Sequence, residues 1–167
     1  MNRYIAVLCL LLITSVHSQQ GDREAIDTLL NTWHHAAATA DFETYFNAMS
    51  KASVFVGTDA EEHWDKKEFM AFSKPYFDQG KAWAFTPVER HIFISETGET
   101  AWFDELLDTW MQLCRGSGVL IKEEGQWKIA HYVLSMTIPN DRVEGAISLK
   151  KETDSILKIS LLSGRPY

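Results

Sequence analysis

Apolar residues recur along this chain at two different spacings, and the change falls near Trp83. Before it they form helical stripes: Ile26, Leu29, Leu30, Trp33, Ala36, Ala37 and Ala40, then Phe42, Tyr45, Phe46 and Met49. Steps of three and four put each set on one side of a helix. Asp22, with Glu24 in the first turn, is the expected N-cap of the first helix, and Asp41 caps the second. Residues 53–58 (SVFVGT) read as a short β-branched and aromatic strand. A helix start follows at Trp64-Asp65-Lys66-Lys67-Glu68-Phe69, with Asp65 as N-cap, Glu68 completing a capping box, and Trp64 and Phe69 as the hydrophobic staple. Pro75 ends or kinks that helix.

From Trp83 onward the period is two. Residues 83–95, 100–110, 114–121 and 126–138 alternate as strands, with Pro87 at a bulge or edge. The last two are joined by a tight turn at Glu123-Glu124-Gly125, where glycine supplies a positive φ. Consecutive strands separated only by turns give an antiparallel meander, so the class is α+β with a single domain over residues 22–140. In the final strand Trp127, Ile129, His131, Val133 and Ser135 share one face, and Lys128, Ala130, Tyr132, Leu134 and Met136 the other. Residues 141–167 form an extension. Asp141 and Glu144 stand at capping-box spacing there, and residues 153–162 fit either helix or strand.

Composition alters this picture in three places. Asn2-Arg3, the apolar run from Ile5 to Ile13 and the small residues before a Ser18/Gln19 cut mark residues 1–18 as a Sec-type signal peptide. The mature chain is then expected to be periplasmic or secreted, with no membrane anchor once the leader is cut. A net charge of −7 repels phosphate backbones, which argues against a nucleic-acid partner. Cys9 leaves with the leader, so Cys114 has no internal disulfide partner and reads as a small buried hydrophobe.

His131 is the one titratable group in an otherwise apolar row. On a core-facing side its imidazole could act as base, acid or donor; equally it could be a core histidine satisfied by one partner. On strand 100–110, either Ala101, Phe103, Glu105 and Leu107 or Trp102, Asp104, Leu106 and Asp108 face inward. The first set is preferred, because a buried glutamate would then find His131 as partner. Trp102 and Leu106 would lie on the outer face, an apolar patch suited to a homodimer. Arg115, between Cys114 and Gly116, either is re-aimed into the pocket by a bulge or forms a surface ion pair. Arg90 and His91 have opposite parity, so only one can face inward. His34 and His35 diverge at a helix end and read as a solvated terminus with one ring half packed. No metal-ligand spacing is present in the sequence.

Several stretches together carry a family resemblance: Gly57-Thr58-Asp59 followed by Trp64, Arg90-His91, Ala101-Trp102-Phe103-Asp104-Glu105, Arg115-Gly116-Ser117-Gly118-Val119-Leu120, and Trp127-Lys128-Ile129-Ala130-His131 through to Pro139-Asn140. Over roughly residues 25–140 the chain resembles the SnoaL-like branch of the nuclear transport factor 2-like superfamily. The resemblance implies a cone, with N-terminal helices packed in a strongly curved antiparallel sheet and a pocket at the wide end. Ketosteroid isomerase, scytalone dehydratase, limonene epoxide hydrolase and polyketide cyclases are relatives, working on small apolar molecules without a cofactor. Others bind without catalysis or associate, commonly as dimers through the sheet. Two isomerase positions are not matched: its general-base aspartate falls at Val56-Gly57, and its helix-one tyrosine at Trp33. The expectation is an exported protein that binds a small, mostly apolar molecule, with cofactor-free acid–base chemistry open to it. Glu105 and His131 would be the acid–base pair. Trp64, Phe103 and Trp127 would be the walls, Asp59 or Arg115 the polar anchors, and His91 a further pocket residue. The alternative is a non-catalytic binding or association module.

Overall fold

The β-hairpin near the C-terminal end of the sheet sets the frame. Glu124 (φ 53°) and Gly125 (φ 77°) both take left-handed backbone, the conformation a two-residue hairpin turn requires. They join two of the six strands in the computed structural model. The structure describes residues 2–164, with side chains from Gln20 onward. In chain order the elements are α1 (Asn2–Ala38), α2 (Phe42–Asn47), β1 (Met49–Val56), β2 (His63–Asp65), α3 (Lys66–Asp78), β3 (Thr86–Ile94), β4 (Thr100–Thr109), β5 (Gln112–Glu123), β6 (Gln126–Met136), a 3-10 turn (Asn140–Arg142) and α4 (Val143–Leu162). The strands order as β2-β1-β6-β5-β4-β3 in one open sheet.

The expected meander is β3 to β6, antiparallel throughout. The sheet is nevertheless mixed, because β1 runs parallel to β6. That pairing joins residues some eighty apart, and no local pattern announces it. Helical residues Ile26, Leu30, Trp33 and Ala37 are buried together with Ala101, Phe103, Leu107, Leu120 and Ile129 from the strands. Trp33 ties the layers, its ring 4.7 Å from Tyr132 and 4.9 Å from Tyr45.

Local signals account for most element ends. Asp41 accepts from Thr44 N at 3.0 Å, capping α2 as expected. Asp65 and Glu68 form the full capping box of α3, and Trp64 stacks on Phe69 at 5.6 Å. Pro75 lies inside α3, which continues to Asp78. Two expected caps are not formed. The helix runs through Asp22, whose carboxylate accepts from Trp127 Nε1 at 2.9 Å and Lys122 Nζ at 3.1 Å instead of capping. Asp141 sits in the 3-10 turn, and α4 begins with no side-chain cap.

Residues 1–136 and 137–167 are two separate units. The second is the 3-10 turn and α4, one continuous helix across the stretch that had fitted helix or strand, with no buried residue. The side chains of the expected leader, residues 1–18, lie outside the described residues. Among the described residues, no helix is long and apolar enough to cross a membrane.

Candidate functional site

Strand β4 sends Ala101, Phe103, Glu105, Leu107 and Thr109 inward, the preferred of the two parities. Glu105 is therefore a carboxylate with no exposed surface. An ionised group there needs a partner for every lone pair, and three side chains supply four contacts. His34 Nε2 donates to Oε1 at 2.8 Å and the Tyr132 hydroxyl to the same oxygen at 3.0 Å. Arg90 lies directly opposite on β3 and brings Nε to 2.9 Å and Nη2 to 2.7 Å from Oε2. Its Nη1 then reaches Asp27 Oδ1 at 2.6 Å and Asn31 Oδ1 at 2.8 Å, binding β3 to α1.

Two glycines make room for this. A Cβ on Gly116, which pairs with Glu105, would stand 2.3 Å from the Tyr132 hydroxyl and 3.0 Å from Glu105 Cγ. One on Gly118 would stand 2.4 Å from the His131 carbonyl and 2.8 Å from the Phe103 ring. The inward face of β5 is flat so that side chains from β4 and β6 can lean across it.

Burial would raise the Glu105 carboxyl. The hydrogen bond and charge of His34 and the Arg90 guanidinium outweigh it and hold the group below its ordinary value. The Tyr132 phenol is driven well above its ordinary value, first by burial and then by Glu105, so it stays protonated and donates. The result is an ionised carboxylate with both oxygens occupied.

A cavity of about 130 Å3 lies elsewhere, between α3, the end of β1 and residues 83–85. Its walls are Phe55, Trp64, Phe69, Phe72, Trp83, Phe85 and Trp110, with Leu134, Gly57, Thr58 and Glu62 completing them. Phe72 and Trp110, 39% and 80% exposed, mark its open side. Phe55 and Phe85 stand between it and the carboxylate cluster, their rings 5.5 Å from Tyr132 and 6.3 Å from His34.

Of the residues expected at the site, only Trp64 lines this cavity. His131 is on the outer face and makes no pair with Glu105. The cause is a bulge in β6: Val119 pairs with His131 but Leu120 with Ile129, leaving Ala130 as an extra residue. Trp127 and Ile129 face inward as expected; beyond the bulge Tyr132 and Leu134 do so instead. His91 is also outside, 3.3 Å from Asp104 Oδ1, while Arg90 takes the inward position. Arg115 forms the surface ion pair, 3.1 Å from the same Asp104 oxygen. Phe103 is core, 2% exposed. Trp127 is held by Asp22, with Lys122 Nζ 4.8 Å from its ring centre. Asp59 is exposed and folds its loop, accepting from Glu61 N at 3.0 Å.

The reading of His34 as a helix-end residue is corrected: it is 4% exposed and bonded to Glu105. Parity held a signal for Arg90, which alternates with Ile92 and Ile94 along β3. For Tyr132 the sequence held none, because one inserted residue reverses the face.

Among solved structures the chain is similar to a nuclear transport factor 2-like protein of unknown function from Pseudomonas putida. The two share 16% identity, covering 73% of this chain and 90% of that one, with a TM-score of 0.61. It is also similar to a proposed dehydratase of the same family from Streptomyces avermitilis, at 15% identity over 72% and 99% of the chains and a TM-score of 0.63. A third is a proposed calcium/calmodulin-dependent protein kinase II association domain from Xanthomonas campestris, at 17% identity over 69% and 86% and a TM-score of 0.52. Identities this low show the fold alone, and that fold carries unlike functions. No curated protein matches the sequence. The SnoaL-like domain profile matches residues 26–139. That match spans both the buried carboxylate cluster and every wall of the aromatic cavity, and the chain belongs to the SnoaL-like domain family, with the nuclear transport factor 2-like α+β fold.

Proposed function

We propose that this protein binds a compact, mostly apolar molecule in the aromatic cavity beside α3. The observation that carries the reading is the wall itself: seven aromatic side chains around about 130 Å3, open on one side. Ligand sites are typically apolar hollows with few polar groups, and a cavity of about 150 Å3 is enough for a benzene ring. Binding is better supported than acid–base chemistry on Glu105. A general base needs a free lone pair facing its substrate, and both Glu105 oxygens are occupied by His34, Tyr132 and Arg90. The cluster instead braces the wall behind the cavity. Crystals soaked in bromobenzene test the reading, through bromine density between Trp64 and Trp83.

Two further features support the setting of that function. Phe93 and Trp102 stack at 5.8 Å on the outer sheet face while remaining 44% and 48% exposed. In our reading a second copy covers them, giving a homodimer through that face. The leader pattern of residues 1–18 supports export to the periplasm or medium.

A further inference from the structure

We propose that the ligand of the aromatic cavity carries a cationic, alkylated ammonium head, held over the rings and against the Glu62 carboxylate. The inference rests on the binding reading above and specifies its ligand class. The lining includes the tryptophans Trp64, Trp83 and Trp110, whose ring faces attract cations most strongly. It includes no lysine, arginine or histidine, so nothing cationic competes for those rings. Its one charged group is Glu62, which among the described residues takes part in no ion pair.

That carboxylate is placed, not loose. Glu62 is half-buried, and its Oε2 accepts from Asp59 N at 3.1 Å. The loop closes on itself as Gly57 N donates to the Glu62 carbonyl at 2.9 Å. A Cβ on Gly57 would stand 2.1 Å from Oε2, so only glycine lets the carboxylate lie flat against the cavity wall. One oxygen is thereby fixed by the loop, and no hydrogen bond to Oε1 forms among the described residues. An alkylated ammonium head suits this setting. It offers methyl groups to the rings and a full positive charge to the carboxylate.

Choline and its neutral carbon isostere 3,3-dimethylbutan-1-ol share one shape and differ in charge. Calorimetric titration of the purified protein with each isolates the charge effect. The expected result is that choline binds about tenfold more tightly. Glu62→Gln, checked for native circular dichroism, should lower that preference severalfold by weakening choline binding, the rings keeping the remainder. Equal affinities in the wild type overturn the proposal and leave the apolar-pocket reading standing, as does a preference undiminished in Glu62→Gln. Binding of neither compound, together with a cavity empty after the bromobenzene soak, overturns both.

Discussion

His34 on α1 and Glu105 on β4 meet at 2.8 Å in the interior, a buried hydrogen bond between residues 71 apart in the chain. Around it Arg90 and Tyr132 complete a cluster in which one carboxylate joins a helix and three strands. Such a group stabilises the fold only while all its partners remain, because an orphaned buried charge is costly.

Removing one partner should therefore be severe. Arg90→Met leaves Oε2 of Glu105 without its cation, and a loss of about 3–5 kcal/mol is expected in urea unfolding. Combining it with Glu105→Leu should cost less than the two single changes summed, since the double variant buries no unpaired charge.

The depressed Glu105 value gives the cluster a pH signature. In the unfolded chain the carboxyl takes up its proton near the ordinary 4.5, and in the folded chain only at lower pH. Its contribution is thus fully present above about 4.5 and is lost as pH falls through the folded value. Wild-type stability should drop across that window, by at most about 1.4 kcal/mol per pH unit for this one group. Glu105→Gln should show a shallower fall.

Gly116 tests the packing around the carboxylate. Alanine there would press against the Tyr132 hydroxyl, so Gly116→Ala should destabilise by about 1–3 kcal/mol. Gly145→Ala in α4, where an added Cβ meets nothing within 4 Å, should cost no stability in the same measurement.

On the outer face, Trp102→Lys should leave the monomer folded and abolish association. Light scattering would show dimer for the wild type and monomer for the variant. A wild type monomeric at micromolar concentration contradicts the dimer.

What the sequence made legible was local. The capping box of Asp65 and Glu68, the staple of Trp64 on Phe69, the turn at Gly125 and the parity of β4 all depend on neighbours a few residues apart. What it concealed depended on distant partners. The parallel β1–β6 pairing is one case, and His34 finding Glu105 is another. The bulge at Ala130 did the most damage, because a single extra residue moved His131 outside and Tyr132 inside. The cavity was hidden for a similar reason: Phe72, Trp83, Phe85 and Trp110 come from three segments that only the folded chain gathers beside Trp64.

A bromobenzene-soaked crystal would locate a ligand cavity separate from the carboxylate cluster. An anomalous bromine peak is expected among Trp64, Phe72 and Trp83, with Glu105 still bonded to His34. A cavity without bromine, or bromine lodged beside Glu105 instead, would contradict it.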